Sequence, residues 1–168
     1  MVNLGMNHFR DEPFIGYSVQ KYNNMKNQRL QRDFFNRDTL TVAKELLGKF
    51  LIRKNSKHLF EVMITETEAY CGQNDLACHA SKGRTPRTET LFGPPGHAYI
   101  YLIYGMYHCL NVVTEREGYP AAVLIRGASL STVNASSRDS ASRDYKLSTS
   151  LDGPGKLTRF LEIDSRLN

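Results

Sequence analysis

The chain of 168 residues is poor in cysteine, with only Cys71, Cys78 and Cys109. The count is odd, no Cys-x-x-Cys pair is present and no His-x-x-x-His accompanies it, so the spacing of a zinc site is lacking. A chain this size can build a core without disulfide staples, and a reducing compartment is expected. Residues 1 to 32 contain no continuous apolar stretch, which argues against a secretory leader or a membrane span. No internal repeat occurs. Neither sign of charge dominates: 22 Lys and Arg against 17 Asp and Glu give a net +5. That balance favours a polyanionic partner without identifying one. The expectation is a soluble intracellular monomer of one domain, without metal or other cofactor.

What is present alternates between β-rich runs and turns. Residues 1–33 have no sustained period and read as a polar arm. Asp38 or Thr39 can cap a helix with Leu40, Ala43, Leu46 and Leu47 as its apolar stripe and Gly48 at its C-terminal cap. Strands are expected at Lys49 to Arg53, Leu59 to Tyr70, Ala98 to Tyr104, Tyr107 to Thr114 and Ala121 to Arg126, mostly paired antiparallel across short turns. A long loop, Cys71 to His97, separates the second from the third, and loops of that length in compact domains tend to carry function or be disordered. From Ser129 to Ser150 the composition turns to Ser, Arg, Asp and Thr, as in a flexible surface excursion. Gly153-Pro154-Gly155 then opens a last helix, Lys156 to Ile163.

Chemistry concentrates in two segments. If the strand through Thr65-Glu66-Thr67-Glu68-Ala69-Tyr70 runs unbroken, then Val62, Ile64, Glu66, Glu68 and Tyr70 share a face, an apolar face ending in two acids. Such acids fit a water-activating base, and they fit equally a strand end emerging into water. They also fit the carboxylate pair of a carbohydrate hydrolase, since alternate strand residues lie roughly 6.6 Å apart. In the aromatic hairpin, Tyr99, Tyr101 and Ile103 share one face, and Ile100, Leu102 and Tyr104 the other. Gly105 at the turn leaves Tyr104, Met106 and Tyr107 near an exposed tip, where large apolar groups are unfavourable unless something binds them. A wedge between base pairs needs that arrangement; an aromatic cluster in the core is the alternative for Tyr99 and Tyr101. Arg126, closing an apolar run, needs an acidic partner, for which Glu68 is a candidate. Lys82, Arg84 and Arg87 suit either phosphate contact or plain solvation.

Taken in order, Thr65 to Tyr70, Asp75 and His79, Thr85-Pro86-Arg87, Tyr101-Leu102-Ile103-Tyr104-Gly105-Met106-Tyr107, Asn111, Leu124-Ile125-Arg126 and Gly153-Pro154-Gly155-Lys156-Leu157 closely resemble the alkyladenine DNA glycosylases, also called methylpurine or 3-methyladenine DNA glycosylases. The resemblance covers Asp38 to Ile163. It implies an α+β fold: a single mixed domain with a curved, mostly antiparallel, partly barrel-like sheet, flanking helices and a protruding hairpin. That domain would span 34–168; the family continues beyond the last helix, so the expectation is either a truncated C-terminus or a sheet closed differently.

The activity implied is monofunctional base-excision repair. Purines such as 3-methyladenine, 7-methylguanine, hypoxanthine or ethenoadenine would be flipped from double-stranded DNA and cut from the sugar, leaving an abasic site. Carried over residue by residue, Glu68 resembles the general base and Arg126 the residue that holds it. Tyr70, His79 and Tyr101 resemble the walls around the flipped base, and Asn111 the residue that excludes the amine of guanine. Tyr104 resembles the intercalating residue, with Arg84, Arg87, Met106 and Tyr107 expected along the DNA backbone. No metal takes part. The place of action would be the cytoplasm and nucleoid of a bacterium or the nucleus of a eukaryote. A noncatalytic module that recognises distorted DNA is the alternative from another class.

Overall fold

The computed structural model describes residues 2–3, 29–55, 58–130 and 150–168. Most of the expected arm 1–33 and of the excursion Ser129 to Ser150 lies outside the described residues. Where the two overlap with them, Ser129 and Ser150 belong to paired strands rather than to a loop.

A short helix, α1 (Arg32–Phe35), precedes α2 (Thr39–Leu46). Asp38 caps α2, its carboxylate accepting from the Thr41 amide at 2.8 Å. This satisfies one of the donors that the first helical turn leaves unpaired. The buried stripe is Thr39, Val42, Ala43 and Leu46. That set corrects the expected stripe: the spacing i, i+3, i+4, i+7 counted from Thr39 faces the sheet, whereas Leu40 and Leu47 lie one residue out of phase and are about half exposed, at 54% and 46%. Gly48 follows the helix with φ of 76° and gives its amide to the Ile64 carbonyl, so the chain passes directly from helix to sheet.

Seven strands form one open, mostly antiparallel sheet among the described residues: β1 (Val2–Asn3), β2 (Phe50–Lys54), β3 (Leu59–Cys71), β4 (Ala98–Ile103), β5 (Tyr107–Val113), β6 (Ala121–Leu130) and β7 (Ser150–Asp152), in the order β1-β2-β3-β6-β5-β4. Only the β1–β2 pair is parallel. Beyond β3, β6 pairs with β5 over Ala122 to Leu124 and with β7 over Gly127 to Ser129. Arg126 therefore stands where the sheet forks. The helix α3 (Pro154–Phe160) starts with Pro at its first position, where a missing N–H costs nothing. Thr158 on α3 donates to the His108 carbonyl, fastening the helix to β5.

The two faces of the sheet bury different chemistry. Val42 and Leu46 of α2, with Leu157 and Leu161 of the last helical segment, cover Leu51, Val62, Ile64, Ile100, Leu110, Val112, Val123 and Ile125. On the other face Cys78, Ala80, Leu91 and Phe92 from the long loop pack on Tyr99, Val113 and Ala122, with Tyr70 and Tyr101 at the margin. The loop expected from Cys71 to His97 is thus folded into two 3₁₀ turns, His79–Lys82 and Glu89–Phe92, and closes the second core.

The expected common face of Val62, Ile64, Glu66, Glu68 and Tyr70 is broken. Pairing of β3 with β6 slips between Ile64 and Glu66 and again between Glu66 and Thr67. Thr65 is the extra residue on β3 and Arg126 the extra residue on β6. A one-residue slip reverses which side chains face the core. Val62 and Ile64 belong to the main core, and beyond the slip Ala69 takes that side while Tyr70 joins the opposite cluster. Thr67 confirms the reversal by donating its hydroxyl to the Ala43 carbonyl of α2. The bulge places Glu66 and Glu68 with Arg126, rather than at the end of an apolar face.

The hairpin β4–β5 closes with Tyr104 at φ of 53° and Gly105 at 68°, and with the Met106 amide bonded to the Ile103 carbonyl. Two successive positive φ angles make a type I′ turn, which matches strand twist but prefers Asn-Gly. Tyr in that conformation costs on the order of 1 kcal/mol. Tyr104→Asn is accordingly expected to raise stability by about 0.5–1 kcal/mol, a few degrees in thermal melting. A lowered melting temperature would show instead that the Tyr104 ring packs in the fold.

Candidate active site

Arg126 reaches back across β3 and bridges two carboxylates. Its Nη1 lies 2.8 Å from Glu68 Oε2 and its Nε 3.2 Å from Glu66 Oε1. All three side chains are partly open to water, Glu66 56%, Glu68 39% and Arg126 40% exposed. Ion pairs so hydrated contribute at most about 1 kcal/mol each. Their consequence is positional: the guanidinium is held, chiefly by Glu68, and its proton is bound more tightly than usual.

Tyr70 connects these charges to an aromatic pocket. Burial first, then a hydrogen bond with Glu68, push its phenol well above the ordinary range. Tyr70 also lines a narrow cavity with Cys78, His79, Tyr99, Tyr101 and Asn111. Burial raises the Tyr101 phenol strongly, with Cys109 beside it, and burial likewise raises Tyr99. All three tyrosines therefore remain neutral near pH 7, with electron-rich faces suited to a cationic planar ring.

His79 is held at both ends. Its Nδ1 is 3.0 Å from the Tyr99 hydroxyl, and its ring meets Tyr101 edge-on at 4.4 Å between centroids. Burial lowers its proton affinity, and the Arg87 charge adds to this. The guanidinium of Arg87 lies 5.7 Å over the Tyr101 ring, beside the residues that line the cavity. Asn111 is buried and gives its amide to the Tyr99 carbonyl at 3.0 Å.

The cavity is narrow. It measures about 30 Å³, the share of a single water. Bases stack about 3.4 Å apart, so a ring held between two faces needs about 7 Å between them. His79 and Tyr101 at 4.4 Å leave no such slot. A far larger depression, about 600 Å³, opens between β2 and the end of α3, lined by Arg53, Asn55, Thr158, Arg159, Glu162 and Asp164. It carries both charge signs and no aromatic face, and so offers no platform for a base.

The structure brings together Glu68, Arg126 and Tyr70 on one side, and His79, Tyr101 and Asn111 with the same Tyr70 on the other. Tyr104, Met106 and Tyr107 stand on the hairpin, 83%, 65% and 46% exposed. Tyr107 is partly committed to packing, since a Cβ at Gly155 would meet its ring at 2.9 Å. Arg84 is engaged in a two-point pair with Glu89, at 2.6 and 2.8 Å. Tyr99 as the partner of His79, and Glu66 as the second partner of Arg126, escape the sequence reading. Strand alternation could have found Tyr99, which shares a face with Tyr101; the Glu66 contact depends on the bulge. Among the described residues no group of three or more His, Cys, Asp and Glu is placed to hold a metal ion, and no helix is long and apolar enough to cross a membrane.

Residues 33–168 match the family model described as methylpurine-DNA glycosylase. The chain belongs to this family. Relatives named "Putative 3-methyladenine DNA glycosylase" include one from Methanocella arvoryzae, 51% identical over 83% of this chain and 70% of its own length. Another from Sodalis glossinidius is 52% identical over 86% of this chain and 75% of the relative. A third, from Legionella pneumophila, is 49% identical over 84% and 70% respectively.

Because His79 in the fold resists protonation, the unfolded chain takes up the proton first as pH falls through the ordinary histidine value near 6.5. Stability should therefore fall between pH 7 and pH 5, and His79→Gln should flatten that fall in thermal melts. Equal slopes for both proteins would remove His79 from the account.

Proposed function

We propose that the protein is a monofunctional DNA glycosylase. It flips an alkylated or deaminated purine, such as 3-methyladenine, 7-methylguanine, hypoxanthine or ethenoadenine, from duplex DNA and hydrolyses the N-glycosidic bond. The observation that carries this reading is Tyr70, which lines the aromatic cavity and stands beside the Arg126-held Glu68, two residues away on β3. Base binding and water activation thus share one wall.

Glu68 accepts a proton from water as the water oxygen bonds to C1′ of the sugar and the base leaves with the bonding electrons. Arg126 holds the carboxylate in place throughout. A base alkylated on the ring carries positive charge, so it leaves as a neutral molecule and stacks on neutral tyrosine faces more strongly than a normal base. Hypoxanthine and ethenoadenine need protonation before departure. Flipping is required because the glycosidic bond is out of reach within the stack.

The narrow cavity must widen as the base enters among Tyr70, His79 and Tyr101. Asn111, immobilised by the Tyr99 carbonyl, then meets the purine edge and excludes the amine of guanine. At the hairpin, Tyr104 occupies the vacated space in the duplex, with Met106 and Tyr107 beside it. Arg87 and Arg84 contact phosphates; Arg84 exchanges Glu89 for a phosphate oxygen when it does so. The reading as a carbohydrate hydrolase is weaker, because Glu66 and Glu68 grip one guanidinium instead of facing each other across a groove.

Glu68→Gln is expected to lower the single-turnover rate of base release at least about 10²-fold while lesion binding is retained. A large loss in Glu66→Gln with nearly normal Glu68→Gln would reverse the assignment, and binding without any release by the unaltered protein would favour the noncatalytic module. Tyr104→Asn should weaken binding to a lesion duplex by roughly 1–3 kcal/mol, the size of a stacking contact. A fluorescent base analogue at the lesion would then report a shift toward the stacked state; an unchanged flipping equilibrium would remove the wedge.

A further inference from the structure

Glu66 has a structural cause of its own. The extra residue Thr65 on β3 and the extra residue Arg126 on β6 bring Glu66 opposite Gly127. A Cβ at position 127 would stand 3.3 Å from the Glu66 Cβ and 3.4 Å from its Oε2, so a side chain there would press on Glu66 and shift it by a few tenths of an ångström. Glu66 takes the Nε side of Arg126, at 3.2 Å, while Glu68 takes Nη1 at 2.8 Å.

From this we infer that Glu66 is a positioning residue that sets the basicity of Glu68 by competing for the same guanidinium. The inference rests on the reading of Glu68 as the water-activating base. A carboxylate paired alone with an arginine is stabilised as an anion and so takes a proton from water less readily. A second carboxylate on the same arginine opposes this in two ways: it diverts part of the guanidinium charge, and it adds a like charge about 6.6 Å away along the strand. Without Glu66 the base would be better held and weaker.

The other titratable groups around Glu68 do not substitute for this. Tyr70, on the same strand, is a neutral phenol. Cys109 on β5 and Tyr101 on β4 lie beside Tyr70 and Arg126 with proton affinities raised by burial, and remain neutral near pH 7. Asp152 on β7, opposite Gly127, is engaged by Lys156 at 2.6 Å. Glu66 is thus the charged competitor for Arg126 among the described residues.

The test is the pH dependence of single-turnover base release from a duplex carrying one hypoxanthine, for the unaltered protein, Glu66→Gln, Gly127→Ala and Glu68→Gln. Loss of the Glu66 charge should move the acid limb of the profile to lower pH by on the order of half a pH unit, the size of a like charge near 6 Å in a partly hydrated site. The plateau rate should fall about threefold, far less than in Glu68→Gln. Gly127→Ala, which displaces Glu66 while keeping its charge, should move the limb in the same direction by less. Lesion affinity and melting temperature report whether either variant has merely loosened the fold, which would lower rates without moving the limb. An acid limb that stays in place or moves upward in Glu66→Gln, with Glu68→Gln inactive, overturns this inference alone. Activity retained by Glu68→Gln overturns the assignment of the base, and this inference with it.

Discussion

The guanidinium of Arg126, held between Glu66 and Glu68, can form only because both strands carry an extra residue at the same place. On β3 that residue is Thr65; on β6 it is Arg126 itself. A regular antiparallel pair would have kept Glu66 and Glu68 on the face of Val62 and Ile64, under α2, where two carboxylates would be buried at a cost of several kcal/mol each. With the bulge, Thr67 and Ala69 take the core side and the acids turn toward Tyr70 and the second cluster. The fork in the sheet at Arg126, between its pairing with β5 and with β7, leaves room for the side chain to cross back over β3. The ion pairs contribute little stability in so hydrated a place; what they fix is where the Glu68 carboxylate stands.

The aromatic half of the site follows a different logic. Tyr70, Tyr99 and Tyr101 are brought together by strand alternation, and the long loop supplies His79 as the fourth ring. Burial keeps every one of these groups uncharged near pH 7. Neutral rings held by edge contacts make a stable cluster, and under the proposed function the same faces would trade part of that contact for stacking on a cationic purine. At the hairpin tip the balance is reversed: Tyr104 combines an unfavourable φ with 83% exposure. The φ angle costs stability and the exposed ring returns none through burial, a pattern that suits a side chain placed for a partner under the proposed function.

Much of this was readable from the residues. The strand segments, the cap at Asp38, the turn at Gly105 and the separation of Tyr101 from Tyr104 follow from local rules of period, capping and turn chemistry. Arg126 as a partner of Glu68 followed from the cost of leaving an arginine unpaired at the end of an apolar run. What could not be read is register. Thr65-Glu66-Thr67-Glu68 alternates so regularly that nothing local marks the slip; the bulge arises from pairing with β6, some sixty residues later. The helix stripe failed for a smaller reason, since Leu40 and Leu47 are also seven apart and only tertiary packing chooses between two adjacent phases. The loop from Cys71 to His97, rich in Gly, Pro and Thr, gives no period at all, and its burial of Cys78, Leu91 and Phe92 depends on the empty sheet face it covers.

The account places water, activated by Glu68, as the group that displaces the base, and the products of a single turnover test this most directly. A duplex carrying one hypoxanthine would be incubated with the protein in the presence of borohydride, and free base, abasic strand and protein–DNA adduct measured together. The account predicts free base and an intact abasic strand in equal amounts, with no borohydride-trapped adduct. A covalent adduct, or strand cleavage accompanying base release, would show an amine of the protein attacking the sugar and would contradict it.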